Sequence, residues 1–363
     1  MIETVTVRLE DRSYPILAGE GAWEKAGKHI RARRPGGIAL VTDERVGELY
    51  GAKVRGILEA EIPAVSYLEV PRGEGSKSFA LLESLCRRLA VAGLNRDGLV
   101  VALGGGVVGD LAGLAASTYL RGIRLIQMPT TLLAMVDSSV GGKTGINIPE
   151  GKNLVGTFYQ PEAVFAETGS LATLEDRDWY SGLAEAVKIA ITLDERLFEY
   201  LEGVTDPGPR GTMDIARVIA ASCERKAQIV SRDEREGSVR MVLNFGHTLA
   251  HGIEGALGYG KIRHGEAVVL GMKGALALSL SKCGLPEEQY GRVMDVLDRI
   301  PVPEVDLASG KLEEFLNRDK KSFAGQVRAV LLRAIGEACF VPLKDPLELL
   351  DALVHEIGKK PGT

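Results

Sequence analysis

The sequence predicts two domains in series: an α/β domain built on a parallel sheet over residues 1–170, and a mainly α-helical domain over residues 171–363. Three observations predict this. Short apolar runs alternate with helical patterns through the first half, as in a parallel sheet with helices on its faces. A glycine-rich turn, Gly104-Gly-Gly-Val-Val-Gly109, stands directly between an apolar run and a helical pattern. After about Ser170 long helical patterns take over. The length of 363 residues fits two domains or one large one.

In chain order, Val5 to Leu9 alternates with polar neighbours and reads as a half-buried strand. Ile38 to Thr42 is a short apolar strand ending in Asp43-Glu44, followed by a helical pattern to about Ala60. Val65 to Val70 is the next strand, Pro71 to Lys77 a loop, and Ser78 the cap of a helix to about Ala92. Leu99 to Leu103 is wholly apolar, the glycine turn follows, and a helix is expected over Asp110–Thr118. Ile123 to Met128 is a further strand ending in Pro129-Thr130-Thr131. Helices then follow over Arg177–Tyr200, Met213–Arg235, the stretch around His247, His264–Cys283 and Glu287–Arg299. Pro207 to Gly211 is a loop between helices. Val327–Leu332 and Ala338–Val341 form a strand pair, before a last helix near Pro346–Ile357.

Composition is that of a soluble globular protein, 45% hydrophobic and 26% charged. A net charge of -5 offers no basic footprint, so no nucleic-acid partner is expected. Four dispersed cysteines form no C-x-x-C pair, which fits a reducing cytoplasm rather than a disulfide framework or zinc ribbon. Met1 to Val7 carries no secretory signal pattern, and no apolar run is long enough for a bilayer, so no membrane association is expected.

The glycine turn fits G-x-G-x-x-G between a strand and a helix. There the glycines let backbone approach a pyrophosphate, and the helix N-terminus favours its charge, which makes the first domain Rossmann-like. No acid stands about 20 residues on, where the ordinary fingerprint puts its ribose ligand; Asp43, at the end of an earlier strand, is the candidate instead. A purely structural tight turn is the competing reading.

Three of the five histidines fall within Asn244-Phe-Gly-His247-Thr-Leu-Ala-His251-Gly-Ile-Glu254 and His264-Gly-Glu266. His247 and His251, four apart, share a helix face. Two imidazoles with a carboxylate from elsewhere commonly hold a divalent metal; the plainer reading is capping work at helix ends. Glu185 and Lys188 sit three apart among Leu183, Ala184, Ala186, Val187, Ile189 and Ala190. That setting argues for two charges on a buried helix rather than a surface pair. Asp137-Ser-Ser-Val-Gly-Gly-Lys143-Thr-Gly-Ile-Asn147 and Gly151-Lys152-Asn153 combine glycines with lysine and hydroxyl or amide groups suited to phosphates or sugar hydroxyls. Asp319-Lys320-Lys321 is either a solvated charge cluster or a reach toward an anionic substrate.

Taken in order, these motifs, with Pro129-Thr-Thr131, Ala184-Glu185-Ala-Val-Lys188, Asp233-Glu-Arg-Glu236-Gly and His264-Gly-Glu-Ala-Val268, resemble the 3-dehydroquinate synthase family from about Glu74 to Leu332. The resemblance implies an N-terminal nucleotide-binding domain, a helical C-terminal domain and an active site between them. It implies conversion of 3-deoxy-arabino-heptulosonate 7-phosphate, a phosphorylated sugar acid, to 3-dehydroquinate and phosphate, with NAD and a divalent metal (zinc or cobalt), in a cytoplasmic homodimer. By position in the motifs, Glu185, His247 and His264 match the metal ligands. Asp43, Glu74 and Lys77 match the adenosine and ribose side. Gly105, Gly106, Val107, Val108, Gly109 and Asp110 match the pyrophosphate loop, Thr130 and Thr131 the nicotinamide side, and Ser170 and Thr173 further cofactor contacts. Asp137, Lys143, Lys152, Asn153, Lys188, Lys226, Arg240, Asn244 and His251 match the substrate pocket, with Lys143 and Lys152 also on the cofactor side. Arg121 matches a phosphate-contacting arginine that in the family comes from the partner subunit, and one of Lys320 and Lys321 a further substrate lysine. Gly252 departs from the alanine many members carry. The alternatives are another sugar phosphate cyclase acting on sedoheptulose 7-phosphate or a glucose phosphate, a metal-dependent polyol dehydrogenase, and a non-enzymatic nucleotide sensor.

Overall fold

The computed structural model describes residues 1–62, 65–204, 213–258, 260–307, 310–322 and 327–358, apart from the side chains of 317–322 and 327. The expected loop at 207–211 lies outside the described residues, as do the side chains of Lys320 and Lys321. The elements run β1 (Glu3–Val7), β2 (Tyr14–Ala18), α1 (Ala22–Arg33), β3 (Ile38–Asp43), α2 (Glu44–Val46), α3 (Ala52–Glu59), β4 (Val65–Val70), α4 (Phe79–Val91), β5 (Leu99–Gly104), α5 (Gly106–Thr118), β6 (Arg124–Pro129), β7 (Lys143–Ile148), β8 (Gly151–Phe158) and β9 (Ala163–Ala166). They continue with α6 (Asp176–Leu193), α7 (Glu195–Val204), α8 (Ile215–Arg232), α9 (His247–Leu257), α10 (His264–Cys283), α11 (Glu287–Asp298), α12 (Gly310–Ser322), β10 (Val327–Ala334), β11 (Glu337–Leu343) and α13 (Leu347–Gly358).

Packing divides the chain into two units, Met1–Leu174 with Ile215–Arg235, and Glu175–Asp214 with Glu236–Thr363. The first holds a seven-stranded sheet in the order β1-β2-β9-β6-β5-β3-β4. Every pairing is parallel except β1 with β2. The central strands are apolar on both faces because both faces are covered. Ile38 and Leu40 turn to one side, with Leu99, Val101 and Leu103, against Trp23, Ile30, Val54 and Leu58 of α1 and α3. Ala39 and Val41, with Val100 and Ala102, turn to the other, against Leu85, Leu89 and Leu111 of α4 and α5. The period of two along each strand produces this division.

Strands β3 and β5 are neighbours, yet the chain leaves them in opposite directions, β3 toward β4 and β5 toward β6. That makes the carboxyl ends of β3 and β5 the topological switch point, where open α/β sheets bind ligands. Asp43 ends β3, and the glycine turn follows β5.

Several elements differ from the sequence reading. The first strand is Glu3–Val7, short of Leu9, and β2, α1, β9 and the β7–β8 hairpin were not anticipated. The helix expected from Asp110 begins at Gly106. The long pattern over Arg177–Tyr200 is two helices, because Asp194 is extended and its carboxylate accepts from the Leu197 amide to cap α7. α8, which the sequence reading placed in the second domain, packs within the first unit. Its buried face, Val218, Ile219, Ser222, Cys223, Lys226, Ala227 and Val230, recurs every three or four residues, and the Cys223 thiol donates to the Met135 carbonyl. Helical texture alone does not reveal which unit such a face meets.

The second unit is built on α10, apolar almost all round and buried over most of Gly265 to Ser279, with Lys273 and Ala277 only partly covered. α6, α9, α13 and the antiparallel β10–β11 hairpin pack against it. Among the described residues no helix is long and apolar enough to cross a membrane.

Candidate active site

In the second unit Glu185 of α6, His247 at the start of α9 and His264 at the start of α10 come together, each offering a ligand atom within 4.8 Å of the others. Glycines set this spacing. Gly246 turns into α9 at φ +79°, and a Cβ on Gly271 of α10 would stand 1.9 Å from the Gly246 carbonyl oxygen, so α9 and α10 touch backbone to backbone. Gly265 likewise lies against Ser181 of α6, whose hydroxyl accepts from the Gly265 amide at 2.9 Å. Gly252 leaves room for Leu312 and Leu316 of α12 to seat on α9, a packing reason for its departure from alanine.

Glu185 is fully buried and Lys188 is 1% exposed, as their apolar neighbours predicted. Lys188 Nζ lies 2.5 Å from Glu185 Oε2. Glu185 Oε1 has no hydrogen-bond partner; it faces Nε2 of His264 at 3.5 Å and Nε2 of His247 at 3.8 Å. The other ring nitrogens are engaged: His247 Nδ1 with the Phe245 carbonyl at 3.2 Å, and His264 Nδ1 with Glu254 Oε2 at 3.3 Å. A buried acceptor without a donor is costly unless a cation completes it. Two imidazole nitrogens and a carboxylate suit a divalent metal with positions left for substrate.

Burial holds His247 well below the ordinary imidazole range, and the charges of Lys188, His264 and His251 add to this, which favours the neutral form that a metal ligand needs. For His264 burial acts downward, but the Glu254 hydrogen bond and the charges of Glu185 and Glu254 outweigh it and leave the group raised. The histidines do not cap their helices; at α10 Glu266 does so, accepting from the Arg263 amide while paired in two bonds with Arg177. His251 belongs to the cluster, with ring centroids 5.5 Å from His247 and 6.2 Å from His264. Nearby in sequence, Arg240 is buried, and the Asn244 amide donates to Glu236 at 3.1 Å.

In the first unit Gly105 caps α5 without a side chain, leaving the first helical amides to backbone or ligand. Thr130 is buried with an unpartnered hydroxyl beside this turn, its amide donating to Gly104 at 3.0 Å. The Thr131 hydroxyl accepts from the Ala134 amide. Lys77, 4% exposed, donates to Asp110 at 2.7 Å and to the Asn153 side-chain carbonyl. Asn147 extends this network, donating to Glu74 at 2.8 Å and accepting from the Asn153 amide at 2.9 Å. Burial raises the Asp110 carboxyl above the usual range against the opposing pull of Lys77. Asp137 and Lys226 pair at 2.5 Å. Lys143 is exposed and Lys152 half-buried on the β7–β8 hairpin. Asp43 accepts from the amides of Arg45 and Val46 and so caps α2. The Ser170 carbonyl and the Thr173 hydroxyl meet Tyr50. Arg121 is exposed in a left-handed turn at φ +67°.

Among the residues of these networks that carried no assigned role in the sequence are Asn147, Glu236, Glu254 and Glu266. Each stood inside a quoted motif, but its contacts depend on where another segment folds.

The fold, a doubly wound α/β unit joined in one chain to a helical unit, is one this chain shares with sugar phosphate cyclases. The structure is similar to a 2-deoxy-scyllo-inosose synthase complexed with carbaglucose-6-phosphate, NAD+ and Co2+ (TM-score 0.87, 27% identity, covering 97% of this chain and 99% of that one). It is also similar to a 2-epi-5-epi-valiolone synthase from Streptomyces hygroscopicus subsp. jinggangensis with NAD+ and Zn2+ bound (TM-score 0.83, 28% identity, 97% and 99%). The model of the 3-dehydroquinate synthase N-terminal domain matches residues 67–181, and that of the C-terminal domain residues 182–322. A 3-dehydroquinate synthase of Geobacter metallireducens is 45% identical over 354 residues, 96% of this chain and 98% of the relative. The chain belongs to the 3-dehydroquinate synthase family.

Proposed function

We infer that the protein converts 3-deoxy-arabino-heptulosonate 7-phosphate to 3-dehydroquinate and inorganic phosphate, in the shikimate route to chorismate and the aromatic amino acids. The observation that carries this reading is the Glu185–His247–His264 cluster in a chain 45% identical, nearly end to end, to a 3-dehydroquinate synthase. The overall reaction is an alcohol oxidation, phosphate elimination, ketone reduction, ring opening and aldol closure, a lyase reaction with no net redox change.

The partnerless Glu185 oxygen and the two aligned Nε2 atoms fit a divalent metal, zinc or cobalt. Bound there, it would supply Lewis-acid polarisation of adjacent substrate oxygens. The uncapped start of α5 and the unpartnered Thr130 hydroxyl fit NAD, which would supply a recycled hydride acceptor. Asp43, Glu74 and Lys77 are assigned to its adenosine and ribose, residues 105–110 to the pyrophosphate, and Thr130 and Thr131 to the nicotinamide. Ser170, Thr173, Lys143 and Lys152 are assigned further contacts.

Lys188, held beside Glu185 at 2.5 Å, is assigned to a substrate oxygen that gains negative charge during the reaction. Asp137, Lys143, Lys226, Arg240 and Asn244 are assigned to substrate hydroxyl and carboxylate groups. Lys152, Asn153, Arg121 and His251 are assigned to the substrate phosphate; holding it beside the acidified C–H lets the phosphate take that proton itself. His251→Ala is expected to keep its metal and lose at least ~100-fold in turnover; metal loss in elemental analysis would contradict the ligand assignment. Resemblance to the family supports a cytoplasmic homodimer.

The test is phosphate release from 3-deoxy-arabino-heptulosonate 7-phosphate with catalytic NAD and zinc or cobalt, following NADH together with phosphate. Stoichiometric phosphate without NADH build-up is expected. Release only from sedoheptulose 7-phosphate would favour the second reading, which the similarity to other cyclases supports. Steady NADH growth would indicate a dehydrogenase.

A further inference from the structure

We propose that Glu254 is a positioning residue that fixes which nitrogen of His264 faces the metal and how strongly that nitrogen donates. This rests on the reading of Glu185, His247 and His264 as metal ligands.

The two histidines are oriented by unlike partners. His247 Nδ1 meets a neutral backbone carbonyl, that of Phe245 at 3.2 Å, two residues away on the same turn. His264 Nδ1 meets a carboxylate, Glu254 Oε2 at 3.3 Å, ten residues away on another helix. Glu254 lies seven residues after His247 and three after His251 on α9, so two turns of one helix face carry all three toward the cluster. Its carboxylate is 4% exposed. A buried carboxylate is costly without compensation, and polar or apolar residues of similar size would fill the same volume. With His264 Nδ1–H donating to Glu254, the Nε2 lone pair is left toward Glu185 Oε1 at 3.5 Å. A carboxylate behind an imidazole also makes it a stronger donor than a carbonyl does, as in carboxylate–histidine–metal arrangements generally. Glu254 thereby ties the ligand on α10 to the helix that carries the other histidine ligand.

The test uses the full chain and competition between the protein and a chromophoric chelator for Zn2+, with the Co2+ absorption spectrum as a second readout. Glu254→Ala, which removes both hydrogen bond and charge, is expected to weaken zinc binding 10–100-fold. Glu254→Gln keeps an acceptor for Nδ1–H without the charge; it should bind more tightly than Glu254→Ala and shift the Co2+ bands relative to the unmodified protein. Apo-protein melting of both variants separates misfolding from weakened ligation, since a purely structural role would lower the apo melting temperature in proportion to the lost affinity. Zinc affinity and Co2+ spectra unchanged in both variants would overturn the proposal. Glu185→Ala is the control for the underlying reading: if it binds zinc as tightly as the unmodified chain, the ligand assignment fails and the proposal falls with it, whereas zinc affinity lost in Glu185→Ala but kept in Glu254→Ala overturns the role of Glu254 alone.

Discussion

The histidine cluster of the helical unit and the lysine pairs of the α/β unit are prepared in opposite ways. In the helical unit the cluster leaves an acceptor unmet: Glu185 Oε1 is buried without a hydrogen-bond donor, and two Nε2 atoms face it. In the α/β unit the charged groups are met from within. Lys77 is shared between Asp110 and Asn153, and Lys226 is paired with Asp137. A site with an open valence is set for a cation of fixed geometry, whereas a site of closed pairs must exchange partners when a flexible anionic ligand enters. The first arrangement favours tight resident binding, the second reversible binding and release.

The largest break in this comparison is expected from Gly271→Ala. Its Cβ would meet the Gly246 carbonyl oxygen at 1.9 Å, so α9 and α10 must part. Denaturant unfolding should show a loss of at least ~2 kcal/mol, and zinc stoichiometry should fall with it. An unchanged midpoint and full zinc content would mean that backbone contact does not set the cluster. Lys77→Met comes next. It strips Asp110 and Asn153 of their shared donor, with an expected cost of about 1–3 kcal/mol and weaker NAD binding, while zinc affinity stays as it was. A fall in zinc affinity there would blur the distinction between the units.

The smallest effect concerns His29, which belongs to neither site. Burial lowers its pKa, the positive Arg33 adding, and its Nε2 has no partner. The unfolded chain therefore takes up this proton first as pH falls through about 6.5, and stability drops from there toward the lower folded-state value. His29→Phe should flatten the pH dependence of the unfolding free energy over that interval; an identical slope in both proteins would contradict the assignment.

Much of this was legible in the sequence, and the reasons are local. Periodicity of two and continuous apolar runs mark β3 and β5, and the glycine turn marks the strand-to-helix passage. The small apolar residues around Glu185 and Lys188 announced a buried charged pair, and three histidines in one stretch announced the cluster. What escaped is long-range. Lys77 and Asn153 are 76 residues apart, and Lys226 and Asp137 are 89 apart. Their pairing depends on where the β7–β8 hairpin and α8 fold, and the sequence reading foresaw neither placement. Glu254 was visible as a residue, but its bearing on His264 follows only from the contact of α9 with α10.

The most direct test of the central claim is anomalous diffraction at the zinc edge from crystals of the zinc-loaded protein. The account predicts one peak at about 2.0–2.2 Å from a Glu185 carboxylate oxygen, His247 Nε2 and His264 Nε2. A peak bound elsewhere, or a zinc ion held through the Nδ1 atoms instead, would contradict it.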